Sequence, residues 1–223
     1  MGYAYNDGVA VSDPASTAYN REYGIFLGEI WASAHWADSH IQVSDWSDFH
    51  PDFYLMNGRT YPDTLAPNGG GTNMTTGDLI APAGRPDLQY QPISSLVQCN
   101  AGDRVLLRLV NLGYTQAAMR LSGIPMHVVG KDATALRGIG PGGLRNGADT
   151  SYLTDTVYLG PGESYDAIFT APPKVGAGYD TYLLFNNALG TLTLPGGGGL
   201  AGQMTEVRVY AVGTQPPQTA PNA

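Results

Sequence analysis

The amino-acid sequence predicts an all-β domain: a sandwich or barrel of short strands joined by long loops. Three observations carry this. Stretches such as "DRVLLRLVN" and "MTEVRVYAV" are apolar and branched, with the alternation of a strand. The 223 residues include 30 glycines and 16 prolines, which break the chain into short runs. No segment holds a helical period beyond a turn or two. At 43% hydrophobic and 13% charged residues, the chain is too apolar for disorder and long enough to bury a core without staples.

Residues 1–20 read as an extension or linker, 21–212 as the domain, and 213–223 as a flexible or extended tail. "REYGIFLGEIW" (Arg21 to Trp31) is the first strand, and "ASAHWADSHIQVSDWSDFHPD" after it reads as mostly loop. "FYLMNGRTYPDTL" starts as a strand and turns at Asn57-Gly58. Residues 67–92 form a loop long for a structureless connection, so it should pack on the domain or touch a partner. In "SSLVQCNAGDRVLLRLVNLG", Asn100 to Asp103 make a turn. Beyond it Val105, Leu107 and Leu109 alternate with Arg104, Leu106 and Arg108. "QAAMRLSG" and "PMHVVGKD" are two short strands, followed by the glycine-rich loop "RGIGPGGLRNGAD". "DTVYLGPGESYDAIFTAPP" gives two strands about a Pro-Gly-Glu turn, and "DTYLLFNNAL" gives one more. "QMTEVRVYAV" closes the domain, with Val207, Val209 and Ala211 on one face. The expected core is Val105, Leu107, Leu109, Val128, Ile168, Leu184, Val207 and Val209. Gly58 and Gly162 should occupy tight turns with positive φ.

Charge excludes two partner classes. The net charge is -8 and no basic run occurs, which argues against nucleic acid and anionic membrane surfaces. No stretch approaches the roughly 20 apolar residues of a spanning helix. The opening "GYAYNDGVAVSDP" has neither the basic start nor the apolar run of a signal peptide.

Catalytic motifs are sparse. "GIGPGG" and "GGGG" (Gly196 to Gly199) lack the context of a dinucleotide fingerprint or phosphate loop and read as flexible loops. No Gly-x-Ser-x-Gly elbow occurs. The single cysteine, Cys99, cannot form an intrachain disulfide and reads as a small buried hydrophobe. Glu163 and Asp166, about the turn "GPGESYD", are expected to bond backbone or arginine rather than do acid–base work. No catalytic or cofactor-binding residue is expected.

The metal candidates are the four histidines. His35, His40 and His50 share one segment with Asp38, Asp45, Asp48 and Asp52, donors that suit zinc or copper. Their spacing matches no zinc pattern, so solvated side chains are the expectation. His127 sits in "GIPMHVVGKD", a frame like His-Pro-x-His-x-His in which Ile124 and Val129 replace the other imidazoles. A blue-copper site groups a cysteine, a histidine and a methionine on one loop, but no histidine follows Cys99 before His127. A three-copper cluster needs more imidazoles than the chain has. His127 is therefore expected to be a packing or hydrogen-bonding residue.

Five stretches, in order, resemble the middle cupredoxin domain of three-domain multicopper oxidases, the group that includes laccases. They are "FYLMNGRTYPDT", "CNAGDRVLLRLVNLG", "RLSGIPMHVVGKDATAL", "YLGPGESYDAIFTAP" and "GGLAGQMTEVRVY", within a likeness covering roughly residues 21–212. One departure is Asp132-Ala133, where the family pattern has Asp-Gly. The resemblance implies a cupredoxin-like Greek-key sandwich or barrel. It implies a parent oxidase that couples substrate oxidation to reduction of oxygen to water, with copper held by the flanking cupredoxin domains. This domain would bind no copper, would space its partners and would line part of a substrate cleft, in the periplasm or outside the cell. The other reading is a copper-free binding or self-associating module of the same fold.

Overall fold

The computed structural model describes residues 1–6, 9–10, 12–13, 16–188, 190–193 and 199–223. Gly196 to Gly198 of the "GGGG" run lie outside them. In chain order the elements are β1 (Gly2–Tyr3), β2 (Ala18–Tyr19), β3 (Arg21–Ile30), α1 (Ala32–Ser39), β4 (Phe53–Met56), β5 (Val97–Asn100), β6 (Arg104–Asn111), β7 (Ala117–Leu121), β8 (Met126–Lys131), β9 (Thr134–Ala135), β10 (Tyr152–Thr154), β11 (Thr156–Leu159), β12 (Ser164–Thr170), β13 (Asp180–Asn186) and β14 (Met204–Tyr210). One sheet runs β10-β8-β12-β6-β3-β4, with β9 beside β8, and the other runs β11-β7-β13-β14-β5. β3 lies parallel to β6, and β5 parallel to β14. From β5 to β8 the chain changes sheet at each step, which yields a two-layer sandwich with long-range pairings.

Strand alternation builds the core. Tyr23, Ile25 and Leu27 on β3 and Val105, Leu107 and Leu109 on β6 meet Val97, Cys99, Leu184, Val207 and Val209 from the facing sheet. Seven of the eight expected core residues lie in this cluster. Ile168 is the exception. It pairs in register with Leu106 on the opposite face of the first sheet. There, with Val129, it forms a smaller cluster under Ala4, Tyr5 and Tyr19. The N-terminal segment thus buries a face that strand alternation alone leaves open.

Three readings are corrected. Residues 32–39 are helical rather than loop, with Ala34 and Ala37 on the buried side at helical spacing. Ala211 lies past the end of β14 and is exposed. β10, an edge strand paired to β8, was not foreseen because its Tyr-Leu-Thr is too short to show a period.

The turns follow their sequences. Asn57 and Gly58 both have positive φ, 52° and 78°, and Met56 and Arg59 exchange two backbone bonds across them. Gly162 has φ 80°. Asp132 and Ala133 also have positive φ, 48° and 58°, so Ala133 holds a conformation that glycine adopts without a Cβ penalty.

The 67–92 loop packs on the domain. The buried Arg59 guanidinium donates to the carbonyls of Gln91 (2.8 Å), Ala66 (2.6 Å) and Pro67 (3.2 Å), which clamps both ends of the loop. The 213–223 segment is hydrogen-bonded to the sheet. Arg21 donates to the carbonyl of Pro216 (2.8 Å), and Asn100 Oδ1 accepts from the Gln215 amide (2.8 Å).

Candidate metal centre

β8 leaves the turn at Gly123 (φ 77°) and carries Met126 and Val128 into the central core. Alternation turns His127 to the opposite face, where it is half-buried. Its Nε2 lies 2.6 Å from Ser151 Oγ, and that hydroxyl donates to Asp149 Oδ1 at 2.6 Å. With the serine proton committed to the carboxylate, Nε2–H of His127 is the donor to Ser151. Burial lowers the His127 pKa, Asp149 opposes the shift, and Arg104 adds to it. A cavity of about 240 Å³ adjoins the ring, bounded by Arg104, Pro125, Leu153, Ile168 and Thr170. Ile124 and Val129, at the positions where the frame has further imidazoles, are buried and apolar.

The 31–53 segment spends its donors locally. His40 stacks on Trp36 (ring centroids 4.3 Å apart), with Nδ1 2.8 Å from the Trp36 carbonyl. His50 Nδ1 lies 2.6 Å from the Asp48 carbonyl, and its ring leans on Trp31. His35 sits on α1. Asp45 Oδ1 accepts from the Ser47 amide and hydroxyl, which hold its pKa down. Asp52 accepts from the Ala32 amide. Among the described residues, no three His, Cys, Asp or Glu side chains are grouped to hold a metal ion.

Cys99 is fully buried in the core, and burial pushes its thiol pKa up to about 12. It lies among Val97, Val207 and Val209 in the core between the sheets. A thiolate ligand is therefore disfavoured there, and the described residues group no donor set that fits a copper centre.

The two turn carboxylates are also spoken for. Glu163 takes Lys131 Nζ at 2.5 Å and the Gly160 amide at 2.8 Å. Asp166 accepts from the Tyr5 hydroxyl (2.5 Å) and Arg108 (3.1 Å). Arg108 also holds Glu22 (2.5 Å), which accepts from the Tyr19 hydroxyl (2.6 Å). Burial alone would raise the Glu22 pKa, but the bonds from Arg108 and Tyr19 outweigh it and the net shift is downward.

One feature was missed by sequence reasoning. Trp31, Trp46, Phe49 and Tyr114 form a ring cluster with centroids 5.4 to 5.8 Å apart. Ile41 (95% exposed) and Val43 (99%) protrude from the same segment. The signal was present: all three tryptophans fall within sixteen positions, between Trp31 and Trp46, and no lysine or arginine occurs in 32–58. Tyr114 reaches the cluster from the β6–β7 turn, whose Tyr114 and Thr115 amides are held by Glu29 (3.0 and 3.1 Å).

Comparison with known proteins places this architecture. No protein-family model matches the chain. Laccase-3 of Botryotinia fuckeliana is 22% identical over 171 residues, covering 76% of this chain and 30% of the laccase. The blue copper oxidase of Nitrosomonas europaea superposes with a TM-score of 0.58 at 21% identity, over 89% of this chain and 46% of that one. The multicopper oxidase mgLAC gives 0.59 at 18% identity, over 92% and 48%. The chain thus spans less than a third of the laccase and less than half of either structure. Its fold is the cupredoxin-like β-sandwich found in multicopper oxidases.

Proposed function

We propose that this chain is a non-catalytic middle cupredoxin domain of a multicopper oxidase. It spaces the copper-bearing domains and contributes part of the wall of the substrate cleft. The observation that carries the reading is the state of the ligand frame on β8. Its strand is intact, Met126 and Val128 fill the core, and the single imidazole is tied to Ser151. Copper would belong to flanking domains, and the exposed apolar rim of the 31–53 segment suits contact with one of them. The parent oxidase would act in the periplasm or outside the cell.

The test is turnover of a phenolic dye by the purified chain after copper loading. The reading expects no oxidation above the rate of free copper. Turnover that scales with protein-bound copper would overturn it.

A further inference from the structure

One side chain of the N-terminal segment sits in a slot built by the first sheet. The β12–β8 register shifts so that Asp166 faces Gly130 and Ala167 faces Val128, which leaves Val129 as the extra residue of a bulge. Val129 joins Leu106 and Ile168 on the outer face. Beside it, Gly130 leaves a gap that the Tyr5 ring fills. A Cβ at Gly130 would lie 2.6 Å from both Cε2 and Cζ of Tyr5. The hydroxyl of the ring donates to Asp166 Oδ2 (2.5 Å). Asp166 and Glu22 share the Arg108 guanidinium, and a phenol donates to each: Tyr5 to Asp166 and Tyr19 to Glu22. Burial and the bond to Asp166 raise the Tyr5 pKa, so its phenol stays a donor. Around this anchor the segment is lightly held. Among the described residues β1 pairs only with β2, outside both sheets, and Met1 (74%) and Tyr3 (47%) are exposed. The Ala4 amide donates to the Thr17 carbonyl (2.9 Å), and the Tyr5 amide to Thr17 Oγ1 (3.2 Å).

We infer that this slot is a docking socket for one tyrosine side chain, and that residues 1–6 are a latch, keyed by Tyr5, that opens without unfolding the sandwich. Shape and chemistry select the key. A flat ring fits over a residue that has no Cβ, and a phenol supplies the donor that Asp166 needs once Arg108 is shared with Glu22. Alanine would meet neither need, and phenylalanine would leave the carboxylate one bond short. The rest of the segment stays behind when the latch opens. Ser16, Thr17 and Ala18 are buried, and Arg104 donates to the carbonyls of Ser16 (2.5 Å) and Ala18 (2.7 Å). Opening uncovers Leu106, Val129 and Ile168, so the latch decides whether this apolar face meets solvent. The inference does not depend on the copper reading.

The test is residue-level hydrogen exchange in low urea on the full chain, with Tyr5→Ala, Gly130→Ala and the two combined. The Ala4 amide reports the latch, and the Leu107 amide, on the interior strand β6, reports the sandwich. In the native chain Ala4 should be protected at least about tenfold less than Leu107. Its exchange should be nearly independent of urea, because a local opening exposes little surface, while that of Leu107 should rise steeply. Tyr5→Ala and Gly130→Ala should each lower the Ala4 protection at least about tenfold. The combined variant should lower it no further than Tyr5→Ala, because both changes break the same contact. Tyr5→Phe, which keeps the ring and loses the donor, should fall between the native chain and Tyr5→Ala. If Gly130→Ala alone does not fold, the combined variant should, since losing the ring makes room for the methyl group. A native Ala4 amide as urea-dependent as Leu107 would overturn the inference. So would an Ala4 protection that Tyr5→Ala leaves unchanged, two substitutions whose effects multiply, or a combined variant that stays unfolded.

Discussion

The strand around His127 and the histidine-rich segment around α1 hold all four imidazoles, and among the described residues neither gathers three metal-ligating side chains, for opposite reasons. On β8 the backbone is rigid and well placed, but the neighbouring ligand positions are buried apolar residues. In the 31–53 segment donors are plentiful, yet His40 and His50 bond nearby backbone carbonyls and lie against tryptophan rings, and Asp45 bonds Ser47. A metal site needs a donor set and a scaffold that makes it converge. Each region supplies one of the two.

The contrast should appear first in stability. Leu107 is fully buried between the sheets, so Leu107→Ala should cost about 2–5 kcal/mol in urea denaturation. His40→Ala, on the exposed segment, should stay within about 0.5 kcal/mol. A Leu107 cost under about 1 kcal/mol would break the assignment of its face.

The pH response should separate the regions next. The folded His127 pKa lies below its unfolded value of 6.5, so the unfolded chain takes up the proton more readily. Stability from this site is full above pH 6.5 and falls as the pH drops from there through the folded value. His127→Gln should flatten that slope, and an unchanged slope would remove the buried-neutral assignment. Glu22 acts lower. Its folded pKa is depressed below 4.5, so its contribution is present above that value and is lost as the pH falls through the folded one. Glu22→Gln should reduce the acid sensitivity seen below pH 4.5 and leave the His127 window unchanged.

The smallest effect should be at the turn after β8. Ala133→Gly relieves a positive φ at some cost in chain entropy, for a net gain of about 0.5–1 kcal/mol. A loss of stability there would mean that the Ala133 methyl packs.

Much of this architecture was legible in the sequence. The strands with clear alternation, the Asn57-Gly58 turn and the burial of Cys99 depend on local pattern, which a single chain displays. What was not legible depends on chain segments distant in sequence. Ile168 looked like a central core residue, because nothing local says that Tyr5 and Tyr19 cover the outer face. α1 was hidden because two turns are too short to show a period, and its alanines count only once they are buried. The hydrogen bond from His127 to Ser151 spans 24 positions, and the capping of β3 by Asn222 spans 198. The ring cluster joins the 31–53 segment to Tyr114 across a turn held by Glu29.

The most direct measurement is copper content with a visible spectrum, on chain loaded with excess Cu(II) and then desalted. The account expects no retained copper and no intense blue thiolate band. Stoichiometric copper with that band would mean that Cys99 leaves the core to meet imidazoles, which contradicts both its burial and the scaffold role.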